Sequence, residues 1–200
     1  MVQTLQEAPL VFDDATDRAL MQRIAQGDGS AFERLYATYE KPVGNFLYRM
    51  CYDTALAEDC LQETFLRLWK AAPGWRGESK VSTFIFQIAK HLGLDAKEKA
   101  LRERARLGVG GDEDQDRPPA SALREVADPR AGPPRRLEGE ELRAAVREAI
   151  ESLPEEQRLV VQLSQTEGLT YREVAEILGL PVGTVKSRLA AAADALRRKL

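Results

Sequence analysis

Thr184, Lys186, Ser187 and Arg188 bring two hydroxyls and two cations together within little more than one helical turn. Such groups donate to phosphate oxygens and base edges; they do not break bonds. They close a segment, Leu169 to Leu189, with the spacing of two short helices crossing at a tight turn, a helix-turn-helix. Val174, Ile177 and Leu178 form the buried side of its first helix, and the small Ala175 lets the second cross close by. Gly179 suits the left-handed backbone of the turn. Val182, Val185 and Leu189 are expected to anchor the second helix. That leaves Thr184, Lys186, Ser187 and Arg188 exposed near its N-terminal half, where a recognition helix meets DNA. The alternative is an antiparallel helix pair with a solvated basic face. Charge favours DNA, because Lys186, Arg188, Arg197, Arg198 and Lys199 face the single acid Asp194 over this stretch.

A second group, Asp59, Gln62, Glu63 and Leu66, lies at helical spacings on one side of a helix. The other side carries Leu61, Phe65, Leu68 and Trp69 for a core. By itself this acidic, amide-bearing patch reads as a solvated face. Catalytic sets do not emerge. His91 is the sole histidine, so no Ser–His or Cys–His arrangement is visible beyond it, and no metal site is expected. Gly108-Val109-Gly110-Gly111 lacks the Gly-Lys-Ser/Thr of a phosphate loop. Asp112, Asp114 and Asp116 imitate the start of a calcium loop, but Arg117 stands where Gly is needed and Leu123 where Glu is needed. Cys51 and Cys60 lie in amphipathic helical patterns and read as buried thiols. No cofactor is expected.

These groups need helices to position them. The chain is 44% hydrophobic but only 6% aromatic, so its core is mainly Leu, Ala and Val, and its many Glu and Arg favour helix over sheet. A net charge of −3 means that local basic faces must carry any DNA binding. Five of the ten prolines fall between Pro118 and Pro134, after a glycine cluster and an acidic run, and no aromatic residue occurs from Leu107 to Leu137. That segment cannot bury enough apolar surface to order itself. The expectation is an all-α fold of two small helical domains, residues 16–106 and 138–200, after a flexible tail, 1–15, and joined by a flexible linker, 107–137. Thr16 or Asp17 is expected to cap a first helix that ends near Gly27. Ser30 should cap a second, with Glu33 in a capping box, and Pro42 should kink or break it. A third spans about Thr54–Ala71, and a fourth starts near Ser79 or Ser82 and ends near Arg106. Further helices follow over Glu138–Ser152 and Pro154–Thr166, with Pro154 as first residue, then a short one capped by Thr170 and a last one approached through Pro181.

The run Asp59-x-x-Gln62-Glu63-x-Phe65-x-x-x-Trp69, followed by Ser82-Thr83-Phe84-Ile85-Phe86-Gln87-Ile88-Ala89-Lys90, resembles the second region of extracytoplasmic-function sigma factors. Leu153-Pro154-Glu155, Gly168-Leu169-Thr170-Tyr171 and Gly183-Thr184-Val185-Lys186-Ser187-Arg188 resemble the fourth region of the same family, in the family's order. The resemblance implies a sigma-70-family factor that binds core RNA polymerase and directs promoter-specific initiation. It implies that Asp59, Gln62, Glu63 and Leu66 dock on the clamp coiled coil of the polymerase's largest subunit. It also implies that the loop Pro73–Lys80 and the following helix take the minus-ten element as single-stranded non-template DNA. Trp75, Phe84 and Phe86 are then candidate stacking partners, with core packing an equal alternative for the two phenylalanines. Arg76, Gln87, Lys90 and His91 are candidate contacts to backbone and base edges. Thr170, Tyr171, Arg172, Thr184, Lys186, Ser187 and Arg188 would read the duplex minus-thirty-five element. The family further implies an anti-sigma factor that occludes both domains until a stress signal arrives. The polymerase does the chemistry, so this chain is not expected to be an enzyme.

A regulator using the helix-turn-helix as an output domain would need a receiver ahead of it, and residues 1–106 show no alternating strand and helix pattern. A pure interaction protein would leave the recognition helix unexplained. Met1–Pro9 has no basic start followed by an apolar run, no stretch approaches the ~18 apolar residues of a membrane span, and the expected location is the cytoplasm. Two features depart from the family. The melting helix carries Gln87 and Lys90-His91 where more arginine is usual, and the recognition helix continues as Ala190-Ala191-Ala192-Ala193. Weak or unusual minus-thirty-five recognition is the expected consequence, with initiation leaning on the minus-ten side. Ala191→Arg should therefore strengthen promoter binding and steepen its salt dependence by about one unit of slope. Anisotropy titrations at several salt concentrations measure both, and no change in either contradicts the expectation.

Overall fold

The structure, a computed structural model, describes residues 12–107, 145–146, 148–166 and 168–199. The expected tail up to residue 11, the expected linker beyond Leu107 and the start of the helix expected over Glu138–Ser152 lie outside the described residues. Among the described residues every regular element is a helix. Helix α1 is Asp14–Ile24, and its cap is Asp13, not Thr16 or Asp17. The Asp13 carboxylate accepts from the Ala15 amide and the Thr16 hydroxyl, so Thr16 serves the cap from inside the helix. Helix α2 is Gly29–Cys51, capped by Asp28 and not Ser30. Here too a carboxylate wins: Asp28 accepts from the Ser30 and Ala31 amides at 2.9 and 3.2 Å and pairs with Arg23 at 2.6 Å. Those contacts hold its carboxyl down to about 2. Nor does Pro42 break α2. Leu35 and Tyr39 before it and Val43, Phe46 and Leu47 after it are all fully buried, so packing holds both flanks in one continuous helix despite the lost amide bond.

Helix α3 is Thr54–Ala71, a 3₁₀ turn follows over Ala72–Gly74, and α4 is Val81–Arg106. Helices α1 to α4 pack around Leu35, Tyr39, Phe46, Leu47, Phe65, Leu68, Ile85 and Phe86. Burying a side chain of this size contributes roughly 1.5–3 kcal/mol, so this face supplies most of the cohesion. Asp17 is buried beneath it, and the Tyr39 hydroxyl donates to its carboxylate.

Past the undescribed stretch, residues 145–146 and 148–151 are helical. Helix α5 is Glu155–Val161 and continues as a π turn over Gln162–Thr166. Pro154 is its N-cap, one position earlier than expected, because an extended ψ of 143° puts it outside the helix. Helix α6 is Tyr171–Leu178, and α7 is Val182–Arg197. Val185 anchors α7 as expected, whereas Val182 is 39% exposed, since the first residue of α7 lies beyond the crossing with α6. Leu189 packs half-buried against both apolar clusters as expected, and Ala192 is a further anchor, fully buried against Leu153 and Val161.

The two groups of helices pack on each other. Val160, Leu163, Leu169, Val174, Ala175 and Ile177 join the same apolar core as Phe46, Ile85, Phe86 and Ala89. Leu163 is fully buried there. Leu163→Ala should cost about 2–5 kcal/mol of stability through the cavity it leaves. Urea unfolding tests this, and a loss well under 1 kcal/mol contradicts the shared core.

Candidate polymerase and nucleic-acid interfaces

On α3, Asp53 caps the helix through the Leu56 amide at 3.0 Å, and the buried Thr64 hydroxyl donates to the Cys60 carbonyl at 2.7 Å. Ala57, Cys60, Phe65 and Leu68 face inward. The opposite side brings Asp59, Gln62, Glu63 and Leu66 together. Asp59 and Gln62 are exposed, Glu63 is half-buried and pairs with Arg67 at 2.8 Å, and Leu66 is 46% exposed. A solvated face does not call for a leucine at its centre. An acidic rim around an exposed apolar residue suits a protein partner.

Between α3 and α4, the loop containing Trp75 and Arg76 is organised by a residue that the sequence did not single out, Arg18 on α1. Its guanidinium donates to the Gly77 carbonyl at 3.0 Å and the Ser79 carbonyl at 3.1 Å, and lies over the Trp75 ring at 5.4 Å. Asp14 steadies it at 2.8 Å. Gly77 has φ +73°, a backbone that favours glycine, and a Cβ there would sit 2.8 Å from Arg18 Nη1 and displace the guanidinium. Trp75 is half-buried and Arg76 exposed. Phe86 is not available for stacking: it is fully buried, 5.5 Å from Phe46 and edge-on. Phe84 is half-buried against the core. Lys90 is half-buried and His91 exposed one position on. Burial lowers the pKa of Lys90, and no acid partners it among the described residues.

In the helix-turn-helix, Thr170 caps α6 in a full capping box. Its amide and hydroxyl donate to the Glu173 carboxylate at 2.7 and 2.6 Å, and the Glu173 amide donates back at 3.3 Å. Gly179 ends α6 at φ +70°. Tyr171, Arg172, Lys186 and Ser187 are exposed. The other expected readers are more engaged. Thr170 spends its hydroxyl on the cap, Thr184 is half-buried, and Arg188 pairs with Glu156 at 2.6 Å. Ala190 and Ala193 line a cavity of about 520 Å³ with Val161, Tyr171, Lys186, Leu189 and Leu196.

The start of α4, which carries the minus-ten candidate Gln87, meets α6 of the helix-turn-helix. Lys80 pairs with Glu173 at 2.8 Å, and the Gln87 side chain donates to the Glu176 carbonyl at 3.3 Å. Burial alone would raise the Glu173 carboxyl, but hydrogen bonds from Lys80 and Thr170 outweigh it and the net shift is downward from 4.5. Neither Lys80 nor Glu173 stands out in the sequence as a pair, although Thr170-x-x-Glu173 is legible as a capping box.

Comparison with known proteins follows the same division. The model of Sigma-70 region 2 matches residues 35–105, and that of Sigma-70, region 4 matches residues 143–196. The ECF RNA polymerase sigma-E factor of Escherichia coli (strain K12) is 31% identical over 188 residues, which cover 94% of this chain and 96% of that protein. The chain belongs to the ECF sigma factors. The RNA polymerase sigma-H factor of Pseudomonas aeruginosa is 29% identical over 92% of this chain and 93% of its own length. Two solved structures share the fold. CnrH, in complex with the cytosolic domain of CnrY, has a TM-score of 0.63 at 20% identity, covering 92% of this chain and 96% of that one. The sigma factor RpoE of Bartonella quintana, in complex with the anti-sigma factor NepR, has a TM-score of 0.65 at 20% identity, covering 84% and 94%. In this ECF sigma factor most of α2, all of α3, the loop before α4 and nearly all of α4 thus lie in the matched region 2, and α5 to α7 lie almost wholly in the matched region 4.

Thr170→Ala should destabilise region 4 by about 1 kcal/mol, with Thr170→Ser close to neutral. Because the Glu173 pKa is depressed in the folded chain, its contribution is present above pH 4.5 and lost as acid protonates it. Thermal melts of both variants between pH 7 and pH 4 check this; equal stability of wild type and Thr170→Ala contradicts the capping role.

Proposed function

We propose that this ECF sigma factor binds core RNA polymerase through Asp59, Gln62, Glu63 and Leu66 and directs promoter-specific initiation. Region 2, taken as residues 16–106, holds the minus-ten element as a single non-template strand; region 4, taken as 138–200, reads the minus-thirty-five duplex. The observation that carries the reading is the presence of both regions, in order, on a chain matched over 94% of its length by a sigma factor at 31% identity. On the minus-ten side, Trp75 offers a ring edge beside exposed Arg76, and Lys90 offers a desolvated ammonium that a phosphate would satisfy. Gln87 and His91 flank it on α4. Phe84 is the remaining phenylalanine for stacking. On the minus-thirty-five side, Tyr171, Arg172, Lys186 and Ser187 are the exposed donors, with Arg188 exchanging Glu156 for phosphate and Thr170 and Thr184 contributing through backbone position.

On this reading the chain acts by binding, the polymerase carries the catalytic chemistry, and a cytoplasmic location beside that enzyme belongs to the same proposal. No helix among the described residues is long and apolar enough to cross a membrane. RpoE of Bartonella quintana is held by an anti-sigma factor, and a protein antagonist of that kind is the further partner proposed here. Alanine at Gln62 or Leu66 should weaken core polymerase binding about tenfold without shifting the melting temperature. Lys90→Ala should leave polymerase binding intact and reduce promoter opening. Core-binding titrations and permanganate footprints separate the two, and wild-type values for all three variants overturn the assignment.

A further inference from the structure

The loop between the 3₁₀ turn and α4 is held at its ends by backbone. The Trp75 amide donates to the Ala72 carbonyl at 3.2 Å, and the Phe84 amide donates to the Lys80 carbonyl at 3.0 Å. Between those ends one guanidinium does the holding. Arg18 Nε donates to Asp14 at 2.8 Å, Nη1 to the Gly77 carbonyl at 3.0 Å and Nη2 to the Ser79 carbonyl at 3.1 Å, and Cζ lies 5.4 Å from the Trp75 ring centroid. Among the described residues no other side chain hydrogen-bonds to residues 75–79. Gly77 completes the fit: a Cβ there would sit 3.8 Å from Trp75 Cη2 as well as 2.8 Å from Arg18 Nη1, so indole edge and guanidinium share the space it leaves. Asp14 spends one carboxylate oxygen on Nε, and its other oxygen is buried with no hydrogen-bond partner among the described residues, so the carboxylate depends on Arg18 as well.

This clamp has two consequences for a single strand. The guanidinium takes one face of the Trp75 ring, so a stacked base is confined to the ring surface left exposed. It also occupies the Gly77 and Ser79 carbonyls, which would otherwise accept from the exocyclic amino groups of adenine, cytosine and guanine alike. Stacking by itself tolerates any base, so a loop free to offer those carbonyls in many poses selects poorly. We propose that Arg18 is a positioning residue for base selection: by fixing the Trp75 ring and withholding two backbone acceptors, it sets which base of the minus-ten strand the loop takes. Its own charge is matched by Asp14, so it acts through the loop and not on the phosphates. The proposal rests on the strand-binding reading of Trp75 given above.

The test assembles core polymerase with the full chain as wild type, Arg18→Ala, Arg18→Lys, Gly77→Ala and the double variant Arg18→Ala with Gly77→Ala. Barcoded templates randomised over both promoter elements are transcribed, and sequencing the transcripts gives the base preference at each position. Trp75→Ala marks the position that the loop reads, as the one whose preference it removes. A preference is a ratio within one sample, so partial loss of folded chain does not alter it. Arg18→Ala and Gly77→Ala are each expected to relax the preference at that position about tenfold, with other positions and core-polymerase affinity within about twofold of wild type. The double variant should be no worse than either single, because both remove one shared contact. Arg18→Lys keeps the charge but cannot fork to two carbonyls, so it should not rescue. Unchanged preference in Arg18→Ala and Gly77→Ala overturns the proposal, whatever their melting temperatures. Wild-type preference in Arg18→Lys overturns the forked clamp. A uniform loss across sequences, with a salt slope lower by about one unit, makes Arg18 a phosphate contact and overturns the positioning role. If Trp75→Ala leaves every preference intact, the reading of Trp75 fails and the proposal with it. A wild-type chain that initiates on no template fails the sigma-factor function itself, and the failures are distinct.

Discussion

The inner face of α4 is the constraint on which the rest of the structure depends. Val81, Ile85, Phe86 and Ala89 are fully buried, and no one neighbour covers them all. Helices α1, α2 and α3 close over part of that apolar strip, and α6 of the helix-turn-helix closes over part as well. Water must be kept from all of it, because each exposed side chain of this size forfeits about 1.5–3 kcal/mol. The positions of the loop before α4, of the α3 face and of region 4 follow from this burial.

Function is written on what that packing leaves outside. Because α3 spends Ala57, Cys60, Phe65 and Leu68 inward, Asp59, Gln62 and Leu66 are left exposed on its opposite side, the face proposed above for the polymerase. Because Arg18 is tied to two carbonyls, the Trp75 loop is fastened to α1, a constraint that would order it ahead of the strand binding proposed above. A preformed loop pays less ordering entropy on binding than a mobile one. In region 4, Ala192 is fixed by packing against Leu153 and Val161, so one residue of the alanine run serves the core while Ala190, Ala191 and Ala193 stay exposed.

Helical periodicity made much of this legible. The span Thr54–Ala71 and the positions of α6 and α7 follow from apolar spacing, and Gly179 follows from its backbone requirement. Local competition was harder to read. Ser30 and Thr16 are good caps, yet Asp28 and Asp13 lie nearby and a carboxylate accepts more strongly, so the helices begin earlier. Pro42 has a breaking tendency of a few kcal/mol that five fully buried neighbours override. Long-range partners left no periodic trace at all. Arg18 meets Gly77 across 59 residues, and Gln87 meets Glu176 across 89, so the ordering of the Trp75 loop and the docking of region 4 are tertiary facts. Phe86 could be inside or outside on spacing alone, and its edge-on packing against Phe46 and Phe12 decides it.

Run-off transcription with purified core RNA polymerase on a pool of promoter templates tests the central claim most directly. Adding this chain should produce discrete transcripts, absent with core alone, whose start sites share a minus-ten sequence. A folded chain that binds core polymerase yet yields only the background of core alone would contradict the account.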